Sequence, residues 1–191
     1  MSRPYDRSRR AAAAADTTRR IVDAAEGLLR AGPLAGLTLP AIAAGAEVTV
    51  QTVLRHMGSR DGCMLAVRER VAARIDLQRS AAPPGDVDAA LAGLLAHYET
   101  DGALILGLIA QASHEPWAQQ AVVEGRDYHR AWVQRCFGPL MPCPAPDDLV
   151  DALVAATDLY LWRLLRLDLG RDPAQVEAVM QRLVRSLLEP R

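Results

Sequence analysis

With 191 residues, half of them apolar, and a formal net charge of −1, the chain can form one large or two small domains with a real core, which excludes a disordered protein. No stretch reaches the roughly 18 apolar residues of a membrane span, and the five-alanine run near the start is shorter than the apolar core of a secretion signal. The expected location is therefore the cytoplasm, with no membrane association. Cys63, Cys136 and Cys143 show no metal-binding spacing and are expected to be reduced thiols.

Charge is unevenly placed. Residues 1–80 hold 13 arginines against 8 acidic residues, residues 81–191 hold 9 against 15, and lysine is absent. A basic N-terminal part is the electrostatic footprint that phosphate binding leaves. Here arginine, histidine, hydroxyls and backbone N–H would have to supply it.

Residues 1–15 (MSRPYDRSRRAAAAA) have no apolar period and are expected to be a flexible tail, from which Arg3, Arg7, Arg9 and Arg10 could reach DNA. A helix follows from Asp16 or Thr17 to about Ala31, with Ile21, Ala24, Ala25, Leu28 and Leu29 on one face. Gly32-Pro33 ends it. Thr38 to Asp61 then divides into two short helices and the start of a third. Thr38 is an N-cap with Pro40 in the first turn, Ala46-Glu47-Val48 makes a corner, Thr49 caps the second helix, and Ser59 caps the third.

Ala43, Glu47 and Val53 are four and six residues apart. That is the spacing of a helix-turn-helix: a small residue where the helices touch, a bend, and a β-branched plug. The outward residues Thr49, Gln51, Thr52, Arg55 and His56 are nearly all hydrogen-bond formers, the chemistry a major groove asks for. A bend of this kind often has glycine at positive φ, a place where Glu47 would be strained.

A longer helix from Arg60 to about Arg79 carries Met64, Val67, Val71 and Ile75, and the AAPPG break at 81–85 is the expected domain boundary. The sequence thus predicts a DNA-binding domain at 16–80 and a helical domain at 86–191. Helices are expected at about 86–100, 102–114, 116–136, 147–169 and 172–188. The 147–169 helix has Leu149, Leu153, Ala156, Tyr160, Leu164 and Leu167 on one stripe and Val150, Val154, Leu161 and Leu165 on another, so it must be covered on two sides. The last helix adds Val176, Val179, Leu183 and Leu187. A homodimer is expected here, through Leu161, Leu165, Val176, Val179, Leu183 and Leu187.

These residues resemble the TetR family of transcriptional regulators. The resemblance is densest over Arg20–Val67: Ile21, Ala24-Ala25, Leu28-Leu29, Gly32, Thr38, Ile42-Ala43, Ala46, Val48-Thr49, Thr52-Val53, His56 and Ser59-Arg60-Asp61. It implies an all-α homodimer with an N-terminal three-helix head for double-stranded DNA and a larger C-terminal domain for a small molecule. Most such proteins are repressors that leave a palindromic operator when the ligand binds. The chain departs from the family pattern at Glu47 (usually Gly), Leu54 (usually a phosphate-contacting Tyr), Met57 (usually aromatic) and Arg60 (usually Lys).

Gln51 and Arg55 are the candidate base readers, because Gln pairs bidentately with adenine and Arg with guanine. Thr38, Thr49, Thr52, His56 and Arg60 are the other candidate DNA contacts, chiefly to phosphate. For the ligand pocket the candidates are Tyr98, His114, Trp117, Tyr128, Trp132, Tyr160 and Trp162, with His97 beside them. Pockets are mostly apolar with few polar anchors, which mildly favours a hydrophobic or aromatic effector of unknown identity. No phosphate loop, paired-histidine metal motif, nucleophile elbow or dinucleotide fingerprint is present, so neither an enzyme nor a cofactor is expected. The competing reading is a helical ligand-binding or adaptor dimer whose head has lost DNA affinity.

Overall fold

The structure is a computed structural model that describes residues 4–113 and 115–189, with side chains described from Ser8 onward. Arg3, the side chain of Arg7, and His114 lie outside the described residues. All the regular elements among the described residues are helical. Two compact units comprise residues 1–72 and 73–191. The division falls within a helix, ahead of the 81–85 break where the sequence suggests a boundary.

In the first unit α1 (Pro4–Ala31) begins well before the expected Asp16. Alanine is the strongest helix former, so Ala11–Ala15 carry the helix through residues 8–16, all of which are exposed. From Pro4 onward, the segment expected to be a flexible tail is thus helical. A 3₁₀ turn (Leu34–Gly36) leads to α2 (Leu39–Gly45), α3 (Val50–Met57) and α4 (Arg60–Ser80). Ile21, Ala25 and Leu29 from α1 are buried, as are Leu34, Leu37, Ile42, Ala43, Val53, Cys63, Met64 and Val67. Their three- and four-residue spacing within α1 and α4 is that of one apolar helix face. Gly58, at φ 74°, closes α3. A Cβ on Gly62 would fall 1.9 Å from the Met57 carbonyl oxygen, so only glycine lets α4 start this close to the end of α3.

The second unit contains α5 (Val87–Gln111), α6 (Pro116–Phe137), α7 (Asp147–Ala156), α8 (Leu159–Arg163) with a following π-helical turn (Leu164–Asp168), and α9 (Pro173–Leu188). Leu91 and Leu94 of α5, Val133 and Phe137 of α6, Leu153 of α7, and Val176, Met180 and Val184 of α9 make the centre of its core.

Two expected helix boundaries change. The helices expected at 86–100 and 102–114 are one, because Asp101-Gly102 is a packing feature and not a break. Asp101 is fully buried, with Arg74 donating to both its carboxylate oxygens (2.6 and 3.0 Å). At Gly102 a Cβ would lie 2.7 Å from the Trp162 ring.

Conversely, the single helix expected at 147–169 is broken at Thr157-Asp158. The Thr157 hydroxyl bonds back to the Leu153 carbonyl (2.7 Å), the Tyr98 hydroxyl donates to the Thr157 carbonyl (2.9 Å), and Asp158 caps α8 through the Tyr160 N–H (2.7 Å). The break changes which residues face inward. Leu159, Trp162 and Leu165 are buried, whereas Tyr160, Leu164 and Leu167 of the expected stripe are exposed.

Candidate functional site

The α2–α3 corner is held by local hydrogen bonds. Thr38 accepts from the Ala41 N–H (3.3 Å) at the start of α2, and Thr49 accepts from the Thr52 N–H (3.2 Å) at the start of α3. Between them the Val48 N–H donates to the Ala43 carbonyl (3.0 Å), and Arg20 of α1 donates to the Ala46 carbonyl (2.9 Å). Glu47 has φ 53°, the left-handed backbone anticipated for the corner. Val53 is the buried residue of α3 and fixes its rotation.

With α3 held so, Gln51 and Arg55 are exposed and four residues apart, hence on one face. Thr52 is half-buried, its hydroxyl 3.0 Å from that of Thr49. His56 turns toward α1, its Nδ1 2.9 Å from the Thr18 hydroxyl. Arg60 donates from Nε to the Leu37 carbonyl (2.6 Å) and from Nη2 to the Leu34 carbonyl (2.8 Å), so two of its donors hold the loop after α1. Arg20, Thr18 and Gly62 were not singled out from the sequence. Their partners lie far along the chain or are backbone atoms, which no spacing reveals.

In the second unit, the proposed pocket aromatics separate. Tyr98, Trp132 and Trp162 are buried core residues with their polar atoms engaged: Tyr98 with Thr157, Trp132 Nε1 with the Arg79 carbonyl (3.3 Å), and Trp162 Nε1 with Glu99 (2.9 Å). Trp117 is half-buried, and its indole N–H has no partner among the described residues. Tyr128 lies partly exposed over Arg79 and donates to Asp76 (3.3 Å). Tyr160 is exposed and borders an open hollow of about 470 Å³ with Asp151, Val154, Asp158 and Leu161. The six described candidates thus divide between buried core, half-buried and exposed positions.

A different group comes together inside this unit. Arg79 is only 3% exposed, its guanidinium 4.3 Å from the centre of the Trp132 ring and 5.1 Å from that of Tyr128. Its Nη2 donates to His129 Nδ1 (2.7 Å). An arginine can only donate, so His129 carries its proton on Nε2. That N–H points at the Thr157 hydroxyl (3.1 Å), which in turn donates to Leu153. Burial, followed by the nearby Arg79 charge, holds the His129 imidazole down to about 4. The same two causes in the same order hold His97 down to about 3, and burial lowers Arg79 as well. Of these, only His97 was noticed in the sequence. An arginine near the end of a helix normally reads as solvated surface.

Of the expected dimer residues, Leu165 and Val176 belong to the core of their own unit and are unavailable to a partner. Once the helix breaks at Thr157, Leu165 turns inward. Val179 and Leu183 are exposed, and Leu161 and Leu187 are half-buried. Tyr160, Leu164 and Leu167 add exposed apolar surface that was not assigned to a partner.

Residues 21–67 match the bacterial regulatory proteins of the tetR family. The match takes in the second half of α1, the helix-turn-helix and the start of α4. No curated protein sequence matches the chain. In structure it is similar to a transcriptional regulator from Rhodococcus sp. Rha1, with TM-score 0.66 and 16% identity over 90% of this chain and 95% of that one. It is also similar to the multidrug binding protein EbrR, solved in complex with imidazole, with TM-score 0.57 and 21% identity over 87% and 93% of the two chains. The all-helical fold shared with these structures therefore extends over most of the chain. Among the described residues no helix is long and apolar enough to cross a membrane.

Proposed function

We propose that this protein is a ligand-responsive transcriptional regulator: a cytoplasmic homodimer that represses from a palindromic operator and is released by a small molecule. The observation that carries the reading is α3, anchored by Val53 and the Thr49 cap so that Gln51 and Arg55 face outward within the stretch that matches the tetR family. In this reading Gln51 and Arg55 read bases. Thr38, Thr49, Thr52 and His56 contact the backbone, and Arg60 positions the loop it bonds. The protein acts by binding, without catalysis or a cofactor.

Genomic-fragment selection with the purified protein tests this. Enrichment of a palindrome with half-sites about 34–36 Å apart is the expected result. No enrichment would favour the adaptor reading instead.

The partner we assign to the exposed residues Tyr160, Leu164, Val179 and Leu183 is a second copy of the chain, because a two-fold operator calls for a two-fold protein. Leu164→Arg or Leu183→Arg should yield a folded monomer in sedimentation, and a monomeric unaltered protein would refute the assignment. Release of DNA by 100-fold requires about 2.7 kcal/mol of coupling, and reciprocity demands that operator weaken the ligand equally. Titrating a ligand with and without saturating operator checks both.

A further inference from the structure

Within residues 73–191, four elements converge on a polar interior. Arg74 of α4 holds Asp101 of α5 through both carboxylate oxygens. One turn on, Gln78 reaches the Ala96 carbonyl (3.4 Å), so α4 and α5 are in close contact where Arg79 and His97 follow. Arg79 meets His129 of α6, and His129 meets Thr157 at the break after α7.

The charges do not cancel. Asp101 is neutralised by Arg74, His129 is neutral because it accepts from Arg79, and Arg79 has no carboxylate partner among the described residues. Its Nε is buried and without a hydrogen-bond partner. So are both ring nitrogens of His97, a residue 4% exposed. An uncompensated buried cation is among the costliest groups a core can hold, and unpaired buried donors add to the cost. The aromatic faces of Trp132 and Tyr128 offset part of it but satisfy no N–H in the guanidinium plane.

We propose that Arg79, His97 and His129 form the binding site for a small carboxylate ligand, with Arg79 taking the carboxylate and the His97 ring N–H donating to it. A planar carboxylate matches the guanidinium fork, and Trp132 and Tyr128 supply an aromatic wall for an apolar ligand body. The proposal deepens the ligand-responsive reading of the protein and rests on it. It replaces the aromatic pocket expected from the sequence with a polar anchor, and so makes the effector an organic acid.

The test is calorimetric titration of the full-length protein, without DNA, with benzoate, phenylacetate, hexanoate and decanoate, each beside its neutral amide. At least one acid should bind about tenfold or more tightly than its amide, and Arg79→Met should bring the pair to parity. Because Arg79→Met could misfold, Arg79→Lys provides a second comparison: it keeps the charge, loses the fork, and should weaken the acid while leaving the amide unchanged. Equal affinity of acids and amides, no binding by any acid, or full acid affinity in Arg79→Met would each overturn the proposal. So would a rise in melting temperature with sodium chloride equal to that with the acids at matched ionic strength, which would assign the site to a halide. A protein that binds acids yet selects no DNA fails as a regulator and keeps this site. One that selects an operator but ignores acids loses only this site.

Discussion

The two units use polar residues in opposite ways. In residues 1–72 the polar groups that matter satisfy backbone: Thr38 and Thr49 cap helices three residues on, and Arg60 and Arg20 bond loop and corner carbonyls from farther along the chain. In residues 73–191 side chains from 79, 129 and 157 bond one another inside the core. Polar groups that tie down backbone build a rigid shape to present, whereas polar groups gathered in a core build an environment to be filled. The first kind of site is read from the outside by a large partner, and the second encloses a small one.

The sharpest break in the comparison comes from Gly62. Gly62→Ala places a Cβ 1.9 Å from the Met57 oxygen, and one helix must move. A loss of about 3 kcal/mol or more in urea unfolding is expected, together with loss of operator binding. The second unit should keep its own unfolding transition.

Acid attacks the other unit. His97 and His129 take up protons near 6.5 in the unfolded chain but only near 3 and 4 in the folded one. Between those values the unfolded state binds more protons, so their contribution is complete above pH 6.5 and is lost as the pH falls below it. From pH 7 to pH 5 the two together should remove about 4 kcal/mol, followed by chemical denaturation at each pH. His97→Leu should roughly halve the slope.

Smaller effects separate reading from holding within the head. Gln51→Ala or Arg55→Ala should cost about 1–3 kcal/mol in operator binding at particular base pairs, with stability unchanged. Arg60→Ala should cost about 1–2 kcal/mol of stability by leaving the Leu34 and Leu37 carbonyls without these charged donors, and weaken binding to every sequence alike. Unchanged stability would return Arg60 to a phosphate-contact role. Smallest is the corner: Glu47→Gly relieves a left-handed non-glycine backbone but gives up unfolded-state order, for a net gain of about 0.5–1 kcal/mol. A loss would mean that the Glu47 side chain earns its place by a contact of its own.

The head was legible in the sequence because its determinants are local. Caps lie three residues from the N–H they accept, Val53 six residues after Glu47, and the apolar face of α1 repeats every four residues. Even the strain at Glu47 could be anticipated from its place in the corner. The second unit was legible only as helices. Asp101-Gly102 looked like a break because nothing nearby says that Arg74 and Trp162 fill the space around it. Arg79 and His129 are 50 residues apart, and each alone has the pattern of an ordinary surface residue.

Thr157 has a consequence beyond its hydrogen bonds. The apolar stripe Leu153, Ala156, Tyr160, Leu164, Leu167 keeps helical spacing across it, yet its first two residues are buried and its last three exposed. The break acts as a phase shifter. One uninterrupted ladder in the sequence is split between the inside of a unit and its outer surface, and Leu159, Trp162 and Leu165 take over the interior positions that the ladder vacates. Hydrophobic periodicity encodes neither half. The division is written in a threonine hydroxyl and an aspartate cap, two small groups that set how far the chain rotates before it resumes its helix.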